Sequence, residues 1–249
     1  MNSITDQPVQ LPPFWRNSTF EINAKSLPYH LADRKFPKHW EFTDGGKGVL
    51  VGVADTGIDA SHPEIAGKVA FAQSFVSQSY MDGNDHGTHV ATTIAGTTVG
   101  VAPNARLAIA KVLRDNGAGS NQAVARGIDW LAEMGCQIIN LSLGGMDDDR
   151  ATREAIFRAI ARGVLICAAT GNEQASQVSY PARHCIAVGA VGRDLKLAPF
   201  SNRGVDVDLV GYGVNVYAGI PGNRYAEFSG TSMATPFIAG CIANRLSAE

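Results

Sequence analysis

Apolar and polar positions along this chain fall into alternating blocks. From Val49 onward, "GVLVGVA" (48–54), "RLAIAKVL" (106–113), "CQIINLSL" (136–143), "GVLICAA" (163–169) and "CIAVGAV" (185–191) are short, largely unbroken apolar runs. Runs of that length and character are what strands buried on both faces require. Between them lie stretches with helical spacing and end signals. Ser120 can cap "NQAVARGIDWLAEMG", and "DDDRATREAIFRAIARG" opens with acids and closes with arginines and Gly163, in keeping with the helix dipole and a glycine stop. Strand and helix in alternation predict an α/β fold: a three-layer, doubly wound, mostly parallel sheet with helices on both faces. Functional residues then belong in the loops that follow the carboxyl ends of strands. Residues 1 to about 45 carry prolines and aromatics without periodicity and read as an extended arm.

Composition narrows the classes. The chain has 249 residues, 45% of them hydrophobic, enough for one compact domain with a sizeable core. A formal net charge of -2 without a run of either sign points away from nucleic acid and anionic membranes. The N-terminus lacks a basic leader followed by an apolar run, and no later stretch approaches the roughly eighteen apolar residues that span a bilayer. Cys136, Cys167, Cys185 and Cys241 lie far apart in apolar contexts, without C-x-x-C spacing, and read as buried reduced thiols. Together these features favour a cytoplasmic setting, the alternative being a domain excised from a longer chain.

Three short motifs carry candidate chemistry. Asp55 ends the first strong strand in "ADTGID". Asp-x-Gly is common turn chemistry, and an aspartic protease would need a second such loop, which the chain does not offer. His86 and His89 sit in "DHGTHVA", with no glutamate to make the H-E-x-x-H arrangement of a zinc site. If His86 opens a helix, its ring projects outward while His89 turns towards the sheet. Ser232, in "SGTSMATPFIAG", stands where a helix begins; it reads as a cap or as a nucleophile favoured by the helix dipole. Pro236 is expected in the first turn of that helix, where no backbone bond is lost.

Each motif alone is ambiguous, but Asp, His and Ser in this order supply an orienting carboxylate, a base and a nucleophile. "DTGID", "DHGTHVA" and "GTSMATP" resemble the signature segments of the subtilisin-like serine proteases, and "GVAPNARLAIAKVL", "INLSLGG", "CAATGNE", "SYPAR" and "FSNRG" extend the likeness from about Gly48 to the C-terminus. The resemblance implies a subtilisin-like fold, with residues 1–24 an N-terminal extension and 25–249 the peptidase domain. It assigns Ser232 as nucleophile, His86 as base, Asp55 as orienting acid, and His89 and Asp85 as structural. Asn172, with the backbone N–H of Ser232, becomes the oxyanion hole. Gly117, Ala118 and Gly119 on one side and Ser142, Leu143 and Gly144 on the other become the edges between which a peptide substrate lies as an extra strand, bound through its main chain. Glu173 falls where the family often lines its primary specificity pocket and would there favour a basic or polar side chain, the alternative being a solvated surface glutamate.

Departures from the family pattern matter too. Thr92 replaces a usual glycine, and Phe237 a common histidine. Between "HVATTIAG" and "GVAP" stands only "TTV", too short for the loop that wraps calcium in many members, so no cofactor and no strong calcium site is expected. Glu64 and scattered oxygens fall short of the six to eight ligands calcium prefers, leaving at most a weak cation site near "SYPAR". The chain ends sooner after Ser232 than typical members do, which reads as a minimal fold or as one piece of a longer polypeptide. Intracellular members use a proline-bearing extension to occupy their cleft, and "LPPFW" and "SLPYH" suggest such an arm here. The implied activity is a serine endopeptidase working through an acyl-enzyme. A precursor-processing protease or peptide ligase would use the same triad, though the enlarged insertions that would shield an acyl-enzyme from water are not evident. A silent peptide-binding module would have no use for Asp55, His86, Asn172 and Ser232 together.

Overall fold

The computed structural model describes residues 8–20 and 27–249; the expectations for residues 1–7 and 21–26 lie outside them. Its strands are β1 (Pro8–Gln10), β2 (Trp15–Phe20), β3 (Leu50–Asp55), β4 (Val69–Ser74), β5 (Arg106–Lys111), β6 (Ala118–Ser120), β7 (Ile138–Leu141), β8 (Leu165–Ala169), β9 (Ile186–Val191), β10 (Leu209–Tyr212), β11 (Val216–Ile220) and β12 (Arg224–Ser229). Its α-helices are α1 (Tyr29–Ala32), α2 (Phe36–Thr43), α3 (His86–Ala95), α4 (Asn121–Glu133), α5 (Arg150–Ala161) and α6 (Thr231–Leu246). The central sheet has seven strands in the order β10-β9-β8-β7-β3-β5-β4, and every neighbouring pair is parallel. Each of the five apolar runs contributes one strand, and β4 and β10 complete the sheet.

Period-two alternation assigns residues to the two faces. Val51, Val53, Leu107 and Ile109 pack with Val90, Ile94 and Ile238 beneath α3 and α6, whereas Ala54, Ala108 and Ala110 pack with Val124 and Ile128 beneath α4. The second face is lined with small residues because α4 comes close: a Cβ on Gly52 would stand 3.1 Å from Leu131 Cδ2. Ser120 Oγ accepts from Ala123 N–H at 3.2 Å and an Asp149 carboxylate oxygen from Thr152 N–H at 2.8 Å, which fixes the starts of α4 and α5. The chain enters the sheet at β3, builds β4 and β5 on one side, then crosses to build β7 to β10 on the other. Connections that leave neighbouring strands in opposite directions open a crevice at the strands' carboxyl ends, here between β3 and β7.

Three expectations change. Pro236 lies past the first turn, because α6 already starts at Thr231. Its missing N–H leaves the Ser232 carbonyl without a helical partner, and Ser142 Oγ fills the vacancy with a hydrogen bond of 2.9 Å. Residues 29–43 are not extended: α1 and α2 bury His30, Leu31 and Phe36. Their anchor is Phe237, whose ring centroid lies 5.8 Å from that of Phe36 and 5.3 Å from that of Tyr212. Finally, His89 turns towards β11 and β12 rather than the central sheet, stacking on Phe228 at 4.3 Å with Nε2 3.0 Å from the Val216 carbonyl. Thr92 is accommodated because its Oγ1 accepts from Gly219 N–H at 2.9 Å, tying α3 to β11.

All four cysteines are free, and burial pushes the Cys136, Cys167 and Cys241 thiols up to about 12, so they are unreactive near neutrality. No helix among the described residues is long and apolar enough to cross a membrane.

Burial also lowers His30 to about 4 and His89 to about 3, the latter with a further contribution from the His86 charge. Both rings are therefore neutral in the folded chain at pH 5, while the unfolded chain protonates them near pH 6.5. Their contribution is intact above pH 6.5 and erodes below it, by about 1.4 kcal/mol per site per pH unit, until the folded sites themselves titrate. Urea unfolding between pH 7 and 5 should show midpoints that are level near 7 and fall steeply below 6.5. A flat profile would mean that neither ring is held neutral.

Candidate active site

The crevice collects the residues singled out from the sequence. Asp55 is the last residue of β3 and is fully buried. The chain then turns at Gly57, whose φ of +112 and lack of room, with a Cβ only 2.3 Å from the Tyr80 carbonyl oxygen, admit no side chain. Thr56 N–H donates to Asp55 Oδ1 at 2.7 Å, and the same oxygen lies 2.8 Å from His86 Nδ1. Because a carboxylate only accepts, Nδ1 carries the proton of this bond. His86 opens α3, as expected, but its ring does not project into solvent: it is fully buried, and among the described residues Nε2 has no hydrogen-bond partner.

A residue not singled out from the sequence, Asp82, holds this histidine's loop. One oxygen accepts from Thr56 Oγ1 (2.9 Å), Asn84 N–H (2.9 Å) and Asp85 N–H (3.2 Å); the other accepts from Thr88 N–H (2.8 Å) and Thr88 Oγ1 (2.7 Å). Thr56 Oγ1 in turn accepts from Gly87 N–H at 2.9 Å. The Thr88 amide of α3 and the two amides just ahead of the helix are thus satisfied by one buried carboxylate, and Gly87 N–H by the hydroxyl that same carboxylate holds, in the position where the dipole favours negative charge. Lys111, at the end of β5, donates to the Thr56 carbonyl and to Asp115. The only local sign of this role was an acid a few residues ahead of the helix, a pattern that also occurs in ordinary turns.

Ser232 lies in the first turn of α6, where Gly230 rather than a serine is the capping residue. Its Oγ donates to the Ser142 carbonyl at 3.3 Å while Ser142 Oγ donates to the Ser232 carbonyl, a reciprocal pair that fastens the start of α6 to the end of β7. Asn140 Nδ2 supports it with a 2.9 Å bond to Ser142 Oγ. The described contacts do not include one between Ser232 and His86.

Asn172 follows β8 after Gly171, whose φ is +101. Asn172 Oδ1 accepts from Thr231 N–H at 2.8 Å and Thr231 Oγ1 at 2.9 Å, which fixes the amide's orientation. Its Nδ2 therefore faces the crevice, where it donates to the Pro13 carbonyl at 2.7 Å.

That partner belongs to the N-terminal arm. β1 pairs antiparallel with β6, setting Val9 opposite Gly119 and Gln10 opposite Ala118. Gln10 and Gly144 exchange backbone bonds of 3.5 and 3.3 Å, and Leu11 N–H donates to the Gly117 carbonyl at 3.1 Å. Gly117, Ala118, Gly119 and Gly144 thus flank an extended strand, and that strand is the chain's own. Leu143 is buried with Val9. Ser142 contributes its hydroxyl and carbonyl to Ser232 instead. Glu173 borders the groove beside Pro12 and Pro13, with Oε2 held by Asn202 Nδ2 at 2.7 Å. Beyond Pro13, Phe14 sets its ring 4.9 Å from that of His86, and β2 pairs with β12 from Trp15 opposite Ser229 onward.

Among known proteins, the sequence profile of the subtilase family matches residues 46–249. Subtilisin DY of Bacillus licheniformis is 42% identical over 237 residues, 90% of this chain and 86% of the relative. Subtilisin Savinase of Lederbergia lenta is 42% identical over 229 residues, 88% of this chain and 84% of the relative. The alkaline protease of Alkalihalobacillus alcalophilus is also 42% identical over 229 residues, and there the matched region spans 60% of the relative's length. With the parallel sheet and the crevice geometry, these matches show that the chain belongs to the subtilase family, the subtilisin-like serine proteases.

Proposed function

We propose that this chain is a serine endopeptidase that rests with its own N-terminal arm across its cleft. The observation that carries the reading is Asn172 donating to a peptide carbonyl, in a crevice where His86 is already oriented by Asp55. In the reaction, Ser232 Oγ attacks the substrate carbonyl carbon as its proton passes to His86 Nε2. Asp55 keeps Nδ1 protonated and supports the imidazolium, and Asn172 Nδ2 meets the developing oxyanion. His86 then gives the proton to the leaving amine, and water resolves the acyl-enzyme by the same steps in reverse.

The arm fits a resting state. Its main-chain pairing with Gly117, Ala118 and Gly144 is of the kind by which a peptide adds to a sheet edge, yet Pro12 and Pro13 give the groove no N–H groups and fix their own φ angles. Ser232 meanwhile spends its hydroxyl hydrogen on Ser142 rather than on His86. Arg16 bonded to Asp85 at 2.8 Å and Asn17 bonded to the Ser229 hydroxyl at 2.8 Å fasten the arm beyond the crevice.

A fluorophosphonate should label Ser232 in the full chain slowly and label a chain lacking residues 1–24 quickly, with cleavage of a small peptide rising in parallel. A peptide of residues 8–20 added in trans at about millimolar concentration, the scale of the tether's effective concentration, should slow both again, and Ser232→Ala should take no label in either form. Equal labelling and equal cleavage with and without the arm would sink the inhibitory role while leaving the protease.

We also propose that folding does not depend on calcium. Glu64 is the acid nearest the shortened loop, and its carboxylate is spent on protein donors: Thr98 N–H at 2.7 Å, Thr98 Oγ1 at 2.5 Å and Tyr225 OH at 2.9 Å. A carboxylate so engaged is a poor start for an ion that wants six or more oxygens. The melting temperature in EDTA should match that in millimolar calcium within about 1 °C, since a bound ion would raise it by mass action. A drop of several degrees in EDTA would establish a calcium site.

A further inference from the structure

The arm crosses the crevice as a peptide would, so its side chains mark the places where a substrate's side chains will sit. Most of these contacts are apolar or run through the main chain. One is a charge recognised from three sides. Arg16, the third residue past the Pro13 carbonyl held by Asn172, sends Nη2 to Asp85 Oδ2 at 2.8 Å and to the Asn84 carbonyl at 3.3 Å, and its guanidinium lies 5.3 Å over the Phe228 ring. A carboxylate, a carbonyl oxygen and an aromatic face are the partners that a guanidinium selects.

Asp85 is built in rather than incidental. It immediately precedes His86, is only 13% exposed at its side chain, and holds a left-handed backbone at φ 84. Asp82 fixes its amide. Arg224 approaches its other oxygen at 3.5 Å, so removing the arm would leave Oδ2, the Asn84 carbonyl and the Phe228 face unclaimed. Residue pairing extends the same track: Arg16 stands opposite Phe228 on β12, so a substrate running along that edge brings the corresponding side chain to the same place.

Resting on the protease reading above, we propose that Asp85, with the Asn84 carbonyl and Phe228, forms a subsite on the leaving-group side that selects arginine or lysine at the third residue past the cleaved bond. Arg16 occupies that subsite in the resting chain. Endopeptidase specificity here then has a basic determinant downstream of the scissile bond, separate from the groove bordered by Glu173.

The test uses two quenched fluorogenic peptides identical except for Arg or Gln at that third position, with the cleaved bond located by mass spectrometry. The full chain serves, because an arm competing for the cleft lowers kcat/KM for both peptides by the same factor and leaves their ratio unchanged. The Arg peptide should be preferred about fivefold, the scale of one partly exposed charge pair. Asp85→Asn keeps a residue that tolerates the left-handed backbone and should bring the ratio to about one. Equal kcat/KM for the two peptides in the wild-type chain, or a preference that survives in Asp85→Asn, would overturn the subsite while the protease reading stands. A chain that cleaves neither peptide and takes no fluorophosphonate on Ser232 would overturn both.

Discussion

Two carboxylates, Asp55 and Asp82, are buried at the carboxyl end of the central sheet, and a buried carboxylate is tolerated only where donors surround it. Asp82 gathers donors from the loop before α3, from the first turn of α3 and from Thr56 on the β3 turn. Asp55 gathers the Thr56 amide and the His86 ring. Thr56 is therefore shared: its amide serves one acid, its hydroxyl the other, and its carbonyl receives Lys111 from the end of β5. Moving any of these elements would leave a buried charge without its partners, a cost well above that of an ordinary surface hydrogen bond. That coupling holds a histidine ring in one orientation on loops that would otherwise be free to wander, and reactive geometry depends on such restraint.

The other half of the crevice is fastened by a defect in a helix. A proline inside α6 would normally cost a backbone bond. Here the carbonyl it leaves free is that of Ser232, and the hydroxyl that takes it up comes from the end of β7. The Ser232 backbone is thereby tied to the end of β7 and, through it, to the edge on which the chain's own arm pairs. Asn172 is tied to the same helix through Thr231.

Much of this was legible beforehand, for reasons that differ by residue. The five apolar runs, the cap at Ser120, the acids that open the second helical stretch and the order of Asp55, His86 and Ser232 are local signals, carried by residue type and spacing. The crevice follows from topology, and parallel strands alternating with helices leave few topologies to choose among. What escaped was non-local. Asp82 acts through residues on β3 and α3 that only the fold brings near it. The second sheet of β11, β12 and β2 includes an arm strand lying more than 190 residues upstream of its partner β12. Residues 29–43 carry no regular apolar period, because their buried face is only His30, Leu31 and Phe36 and is completed by Phe237 from α6. His86 looked exposed because a helix start usually is; Phe14, from the far end of the chain, covers it.

Covering the crevice with a segment of the same chain has a quantitative consequence. Each contact the arm makes is modest: short strand pairings, one amide to one carbonyl, one partly exposed ion pair. As a separate peptide, such a segment would lose most of that energy to the entropy of association. Tethered, it meets the cleft at an effective concentration that can reach millimolar, so weak contacts suffice to keep the site occupied. The same arithmetic makes the occupancy reversible. Fastening lies on both flanks of the crevice, through Gln10 and Leu11 on one side and Arg16 and Asn17 on the other. Releasing either flank removes part of the contacts that hold the arm, and one cut in the arm would turn a tethered occupant into a dilute one.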